Sequence, residues 1–253
     1  NYLKELVFEG EYFEGKRYNG RRKEYFNVNL LQYEEDYLEG KIIRKEYYND
    51  GKLKFEGVFL NDQRNGKGKE YYGNGNLKFE GVFFNDERRE GKVYDNDGKL
   101  KFEGVFLNEQ RNGKGKEYYD NGLLKFEGEY VNNKKNGKGK EYYDNGLLKF
   151  KGEYLQGQRY RKGKDYDIDG KLQFEGEYLN NIRNGKGKDY DINGKLIFDG
   201  EYLNNIRNGK GKEYDKNILI FDGIYLEGRK WKGKIKEYNA QKEIVFEGEY
   251  YEG

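Results

Sequence analysis

The chain has 253 residues, of which 38% are charged and 34% hydrophobic, and its formal net charge is +2. That leaves too little aliphatic material for a thick interior, and near-neutrality excludes a global field drawing the protein to nucleic acid. The absence of Cys and His excludes disulfides, thiolate chemistry and imidazole-bound metal. No apolar run approaches the roughly 18 residues of a membrane-crossing helix, and no signal-peptide core appears. Aromatic residues make up 17% of the chain, and their fixed spacing separates it from disordered sequences. Because the chain begins at Asn1 and lacks Met, it is expected to be a processed product or a fragment of a longer one.

Read from the N-terminus, one glycine in an FEGEY-like stretch returns at Gly10, Gly57, Gly81, Gly104, Gly128, Gly152, Gly176, Gly200, Gly223 and Gly248, with Glu35 in one further slot. The intervals are 22 to 25 residues. A period this steady predicts one continuous array over residues 1–253, about ten repeats and the opening of an eleventh.

Each repeat predicts two antiparallel strands. In GKGKEYYDNGLLKFEGEY, from Gly113, the pair Asn121 and Gly122 separates the two runs. An Asn-Gly or Asp-Gly pair suits a type I′ hairpin turn. It returns at Asp50 and Gly51, Asn74 and Gly75, Asp97 and Gly98, Asn145 and Gly146, Asp169 and Gly170, and Asn193 and Gly194. In the second run, Leu124, Phe126, Gly128 and Tyr130 are expected on one face, with Lys125, Glu127 and Glu129 on the other. In the first run, either a bulge resets the phase after Gly113 and Gly115 or Tyr118 faces away from them. Polar connectors such as Leu179 to Asn184 read as longer loops on the opposite edge. Toward the ends the pattern loosens: the turn becomes Asn29 and Leu30, then Asn217 and Ile218, then Ala240 and Gln241, and the only Trp, Trp231, sits in an altered loop. Arg161 in a glycine slot and the shortened loop around Glu90 and Gly91 are smaller departures. Divergent end units are expected where an array stops stacking.

The glycines flanked by rings, as Gly128 is by Phe126 and Tyr130, leave room for an aromatic ring to lie over the backbone. One aromatic-lined face and one charged face leave no second layer to bury. The fold expected is therefore all-β, a single-layer antiparallel sheet of about ten successive hairpins.

These residues resemble MORN repeats (membrane occupation and recognition nexus), whose pattern runs from YxGxW through a short loop to GxGxY and a glycine. The resemblance covers nearly the whole chain. Tyr or Phe stands where the family often has Trp, as at Tyr154 and Phe106, and one extra residue separates Gly115 from Tyr118, as in the variant of bacterial antitoxin-type proteins. It implies an elongated sheet, twisted into a shallow groove. Members of the family serve as scaffolds, dimerise, grip partner helices and have been proposed to bind phospholipids.

DYDIDG, Asp165 to Gly170, and DYDING, Asp189 to Gly194, imitate half of an EF-hand loop, but the twelfth positions are Gly176 and Gly200, so no metal is expected. Glu103, Glu127 and Glu175 are copies of one position beside Lys101, Lys125 and Lys171, which reads as a solvated ion-pair face rather than a catalytic pair. No nucleophile motif or phosphate loop appears, and neither enzyme activity nor a cofactor is expected. Two surfaces remain. The aromatic face, Phe79, Phe83, Phe102, Phe106, Phe126, Tyr130, Phe150, Tyr154, Phe174, Tyr178, Phe198 and Tyr202, is expected to be bare and to bind an amphipathic partner helix or a second copy. The basic connectors, Arg64, Lys67, Arg111, Lys114, Lys134, Lys135, Lys138, Arg183, Lys186, Arg207 and Lys210, are expected to form a ladder along one edge that would suit anionic lipid. The leading expectation is a non-catalytic scaffold in the cytoplasm, with a cytoskeletal or membrane-associated location in view. A peripheral lipid-binding module and a regulatory array of a larger enzyme are the alternatives.

Overall fold

In the computed structural model, residues 8–27 and 30–251 are described, and they form strands and turns with no helix among them. Contacts group the chain into two units, residues 1–122 and 123–253. The first holds β1 (Phe8–Phe13), β2 (Lys16–Asn27), β3 (Leu30–Leu38), β4 (Lys41–Tyr47), β5 (Leu53–Leu60), β6 (Gln63–Tyr71), β7 (Leu77–Phe84), β8 (Glu87–Tyr94), β9 (Leu100–Leu107) and β10 (Gln110–Tyr118). Every strand pairs antiparallel with the next in sequence. The second unit repeats the scheme with β11 (Leu124–Val131), β12 (Lys134–Tyr142), β13 (Leu148–Leu155), β14 (Gln158–Tyr166), β15 (Leu172–Leu179), β16 (Ile182–Tyr190), β17 (Leu196–Leu203), β18 (Ile206–Asp215), β19 (Ile218–Leu226), β20 (Arg229–Tyr238) and β21 (Ile244–Tyr251). The fold is all-β, an open antiparallel sheet built of hairpin repeats.

The turns are the reverse of the sequence expectation. At the connector edge, Leu60 pairs with Gln63 across only Asn61 and Asp62, whose φ angles are 51° and 60°. Asn180 and Asn181 (52° and 70°) and Asn204 and Asn205 (51° and 69°) do the same, so the type I′ turns lie here. The supposed connector loop is mostly strand. At the other edge, only the Gly of each Asp-Gly or Asn-Gly pair is left-handed. Tyr48 donates its N–H to the Lys52 carbonyl at 2.8 Å and Gly51 donates to the Tyr48 carbonyl at 2.9 Å, closing a three-residue loop in which Gly51 has φ 82°. That is a type I turn followed by a bulged glycine. Two terminal turns are also relocated. Lys216 and Asn217, with φ 50° and 69°, form the turn expected at Asn217 and Ile218. Lys242, with φ 65°, takes the glycine place after Ala240 and Gln241. The turn expected at Asn29 and Leu30 falls partly outside the described residues.

Of the two readings of the Tyr118 position, the one in which the Tyr faces away from the glycines is what the repeats show, and the bulge lies in the partner strand instead. Glu141 pairs with Phe150 but Tyr142 pairs with Leu148, so Lys149 is bulged and the partner strand changes phase. Tyr142 faces away from the glycines and bonds Glu127 at 2.8 Å. Leu148, Leu172 and Leu196, the equivalents of Leu124, pair with Tyr142, Tyr166 and Tyr190. They therefore leave the face of the Phe rings, contrary to the simple alternation.

A second irregularity lies beside the connector edge. Arg111 pairs with Phe106 and Gly115 with Gly104, which sets Asn112, Gly113 and Lys114 against Val105 alone. Gly113 absorbs the excess with φ 82°. Where the sequence is one residue shorter, as at Arg89 in β8 and Trp231 in β20, the bulge shrinks to a single residue. At the C-terminal end, the two residues Ile235 and Lys236 shift the register. Gly248 therefore faces Ile235, and Gly233 faces Tyr250.

Candidate functional site

The repeating unit of packing is a ring over two glycines. Gly57 and Gly68 face each other, and a Cβ on Gly68 would lie 2.6 Å from the Phe55 ring, so only glycine leaves the ring its place. Phe55 stands edge-on to Phe59 at 5.6 Å and to Phe83 of the next hairpin at 5.3 Å. In the second unit Phe126, Phe150, Phe174 and Phe198 alternate in the same way with Tyr130, Tyr154, Tyr178, Tyr202 and Tyr225. Each such contact contributes about 0.5–1.5 kcal/mol beyond the area it removes from water.

This face is not bare. Phe79, Phe102, Phe126, Phe150, Phe174 and Phe198 are fully buried, and Phe83, Phe106, Tyr130, Tyr154, Tyr178 and Tyr202 nearly so, within the chain alone. The cover comes from residues that the sequence reading placed in loops. Arg64 pairs across from Phe59, and its guanidinium lies 4.0 Å above the Phe55 ring. Arg111, Lys135, Arg183 and Arg207 lie 4.1–4.4 Å above Phe102, Phe126, Phe174 and Phe198. Between them stand carboxylates that bridge successive hairpins. Arg64 donates to Glu46 at 2.9 Å and to Glu70 at 2.7 Å. Arg159 reaches Glu141 at 3.0 Å and Asp165 at 2.7 Å, while Asp189 accepts from both Arg183 and Arg207 at 3.0 Å. Burial disfavours the Glu141 carboxylate, yet Lys135 and Arg159 outweigh it and hold its pKa below the ordinary value. Burial, together with the Asp165 and Asp189 carboxylates, pushes the Tyr178 and Tyr202 hydroxyls up.

The basic ladder consequently splits between two faces. Arg64, Arg111, Lys135, Arg183 and Arg207 lie half-buried over the rings, while Lys67, Lys114, Lys134, Lys138, Lys186 and Lys210 are exposed. Of these, Lys138 faces Glu153 and Lys186 faces Glu201 across the pairing on the opposite, outer face. Farther along that face, Glu127 bonds Lys140 at 2.7 Å and Tyr142 at 2.8 Å. Glu175 bonds Tyr190 at 2.7 Å and pairs with Lys164 at 2.6 Å. The ion pairs of Glu127 with Lys140 and of Glu175 with Lys164 thus run across strands, as expected of a solvated ion-pair face. Asp167 and Asp191, in the EF-hand-like stretches, accept backbone N–H groups of their own turns at 2.8–3.1 Å. Among the described residues no group of acidic side chains is arranged to hold a metal ion.

The two units differ on this outer face. Beside the connector edge of the first stand Ile43, Val82 and Val105, exposed, with Leu60, Phe84 and Leu107 at the strand ends. In the second unit Glu129, Glu153, Glu177 and Glu201 replace the valines, Ile224 alone keeping an apolar residue in that slot, while the strand ends Val131, Leu155, Leu179 and Leu203 stay exposed as in the first unit; Glu177 accepts the bulge N–H of Lys186 at 3.0 Å. An FEGVF against an FEGEY was visible in the sequence, but it gained meaning only once the bulge showed which face that residue takes.

Comparison with known families places this geometry. The MORN repeat family matches residues 55–77, 126–147, 174–188 and 198–217. The MORN repeat variant matches residues 41–61, 90–108 and 111–132, and together the two span about half of the chain. No curated protein matches it. MORN repeats are commonly protein- or lipid-interaction repeats and typically non-catalytic. With the repeat period, the glycine-and-ring stack and these matches in agreement, the chain belongs to the MORN repeat family.

Proposed function

We propose that the chain is a non-catalytic interaction module that holds a second copy of itself against the outer face of its first unit. The observation that supports this reading is the exposed apolar row of Ile43, Leu60, Val82, Phe84, Val105 and Leu107. Apolar side chains left exposed in one hairpin after another are characteristic of protein contacts, although Lys67 stands beside Val82 and Glu90 between Val82 and Val105 in this row, and the aromatic face, sealed by its own cations, offers none. Anionic lipid is the weaker reading, because half of the basic ladder is engaged over the rings and outer lysines alternate with glutamates.

Sedimentation over a range of concentrations tests the proposal. The wild-type chain is expected to associate, and the double variant Val105→Glu, Phe84→Lys to stay monomeric. Glutamate is the residue that the second unit carries at the Val105 slot, so the fold tolerates it. A chain that remains monomeric throughout, or a double variant that associates unchanged, overturns the reading.

A further inference from the structure

We infer that the bulges of β6 and β10 are oxyanion sites that take a carboxylate, the group that the matching bulges of β16 and β18 receive from their own chain. Four strands carry the same six residues, Arg-Asn-Gly-Lys-Gly-Lys, at positions 64–69, 111–116, 183–188 and 207–212. In each, the Asn, Gly and first Lys stand against a single residue of the preceding strand that has no partner across that pairing: Val58, Val105, Glu177 and Glu201. In each, the glycine is left-handed, with φ 117° at Gly66, 82° at Gly113, 105° at Gly185 and 101° at Gly209. Local sequence and register are shared, so the four bulges differ in the residue that faces them.

Glutamate closes the bulge. Glu177 Oε2 accepts the Lys186 N–H at 3.0 Å, and Glu201 Oε2 accepts the Lys210 N–H at 3.0 Å. The extra residues of a bulge leave the regular ladder, and a left-handed residue among them gathers main-chain dipoles into a concave patch that suits an anion. Valine approaches from the same place. A Cβ on Gly185 would lie 3.1 Å from Glu177 Cβ, and one on Gly66 would lie 3.1 Å from Val58 Cβ. At Gly209 and Gly113 the corresponding distances, to Glu201 and Val105, are 3.2 and 3.6 Å. The Lys67 and Lys114 N–H groups, which correspond to those of Lys186 and Lys210, are therefore turned toward a side chain with no acceptor to offer.

The ligand chemistry follows from the occupied bulges, where one carboxylate oxygen sits on the lysine N–H. The side chains of Lys67 and Lys114 are exposed beside the same N–H groups, and a cation there favours an ionised acceptor over a neutral one. A carboxylate free in solution and a glutamate carried by a second copy present the same group to the bulge. The second source rests on the association proposed above; the first does not.

Amide proton–nitrogen NMR spectra of the intact chain, titrated with acetate at low ionic strength against an equal concentration of chloride, test the inference. The Lys67 and Lys114 amides are expected to shift saturably with acetate and several-fold more than those of Lys186 and Lys210, which their own glutamates occupy. Val58→Glu is expected to remove the response at Lys67 and leave that at Lys114, and Glu177→Val to open Lys186 to acetate. Shifts at Lys67 and Lys114 that appear on concentrating the protein without acetate assign the carboxylate to a second copy, and shifts with acetate alone assign it to a free ion; either supports the site. Lys67 and Lys114 amides unmoved in both arms, or moved no more than those of Lys186 and Lys210, overturn it, as does a Glu177→Val variant whose Lys186 amide ignores acetate.

Discussion

Two hairpins of the first unit fill the same space in different ways. Around β5 and β6, Phe55 lies over the facing glycines Gly57 and Gly68. One hairpin earlier, the row that would hold glycines reads Arg22, Glu35, Arg44, with Arg44 paired to Gly57. Glu35 is 1% exposed and accepts from Arg44 Nε at 2.7 Å, Arg44 Nη2 at 2.5 Å and the Tyr37 hydroxyl at 2.8 Å. The Arg44 guanidinium takes the volume above the backbone, 4.6 Å from the Tyr33 ring and 4.3 Å from Phe59. The glycine slot is therefore a volume to be filled, and a ring or a paired guanidinium serves.

The two solutions fail differently. A ring over glycine is self-sufficient, but a buried ion pair is held only while both members remain, so removing one leaves a desolvated charge at about 3–5 kcal/mol. Because Arg44 keeps a second partner in Asp62 at 2.6 Å, Glu35→Gln is expected to fall at the lower end of that range and to release the amides of β3 and β4 to hydrogen exchange. Exchange is the suitable measurement because an array need not unfold in one step. Converting the row to the interior pattern with Tyr33→Phe, Glu35→Gly and Arg44→Gly together is expected to lose less than the single change. If Glu35→Gln costs no more than an exposed substitution, the ion pair is not what holds this hairpin.

The glycine solution breaks from the other direction. A methyl on Gly68 meets the Phe55 ring at 2.6 Å and the Glu56 carbonyl at 3.2 Å. Gly68→Ala should therefore cost about 1–3 kcal/mol through overpacking. Combined with Phe55→Ala, which alone removes about 3–5 kcal/mol, it should be markedly sub-additive, since the ring it strikes is gone. A strictly additive double variant would show that the ring and the glycine are not coupled.

How much of this was legible follows from what controls each feature. The period, the strand pairs and the glycine-and-ring bracket were readable because one residue type at one spacing sets them. The Glu35 slot was readable as an exception, but not its partner, because Arg44 comes into line with it only through the β3–β4 register. The lid over the rings was missed for a geometric reason. Asn61 and Asp62 suffice for a type I′ turn without any glycine, which pulls Arg64 out of the supposed loop and into a strand opposite Phe59. The phase of Leu148 was missed because a bulged Lys149 leaves no mark in the hydrophobic alternation. Features set by one residue's chemistry could be read; those set by counting residues between two strands could not.

The smallest effect concerns a residue that breaks the rule of its own repeat. In β10, β12, β16 and β18 the bulge is turned by Gly113, Gly137, Gly185 and Gly209, with φ between 67° and 105°, but β14 places Arg161 there with φ 56°. A left-handed residue with a side chain costs about 1–2 kcal/mol. Against that, the Arg161 guanidinium lies 5.4 Å from the Tyr160 ring, an exposed contact of about 0.5–1 kcal/mol, and glycine loosens the unfolded chain. Arg161→Gly should thus give a gain of only about 0.5–1 kcal/mol, read as slower exchange of the β14 amides, while Arg161→Ala keeps the strain, drops the ring contact and should lose stability. Opposite signs for the two variants are the diagnostic result, because a site governed by side-chain contacts alone would make both substitutions unfavourable.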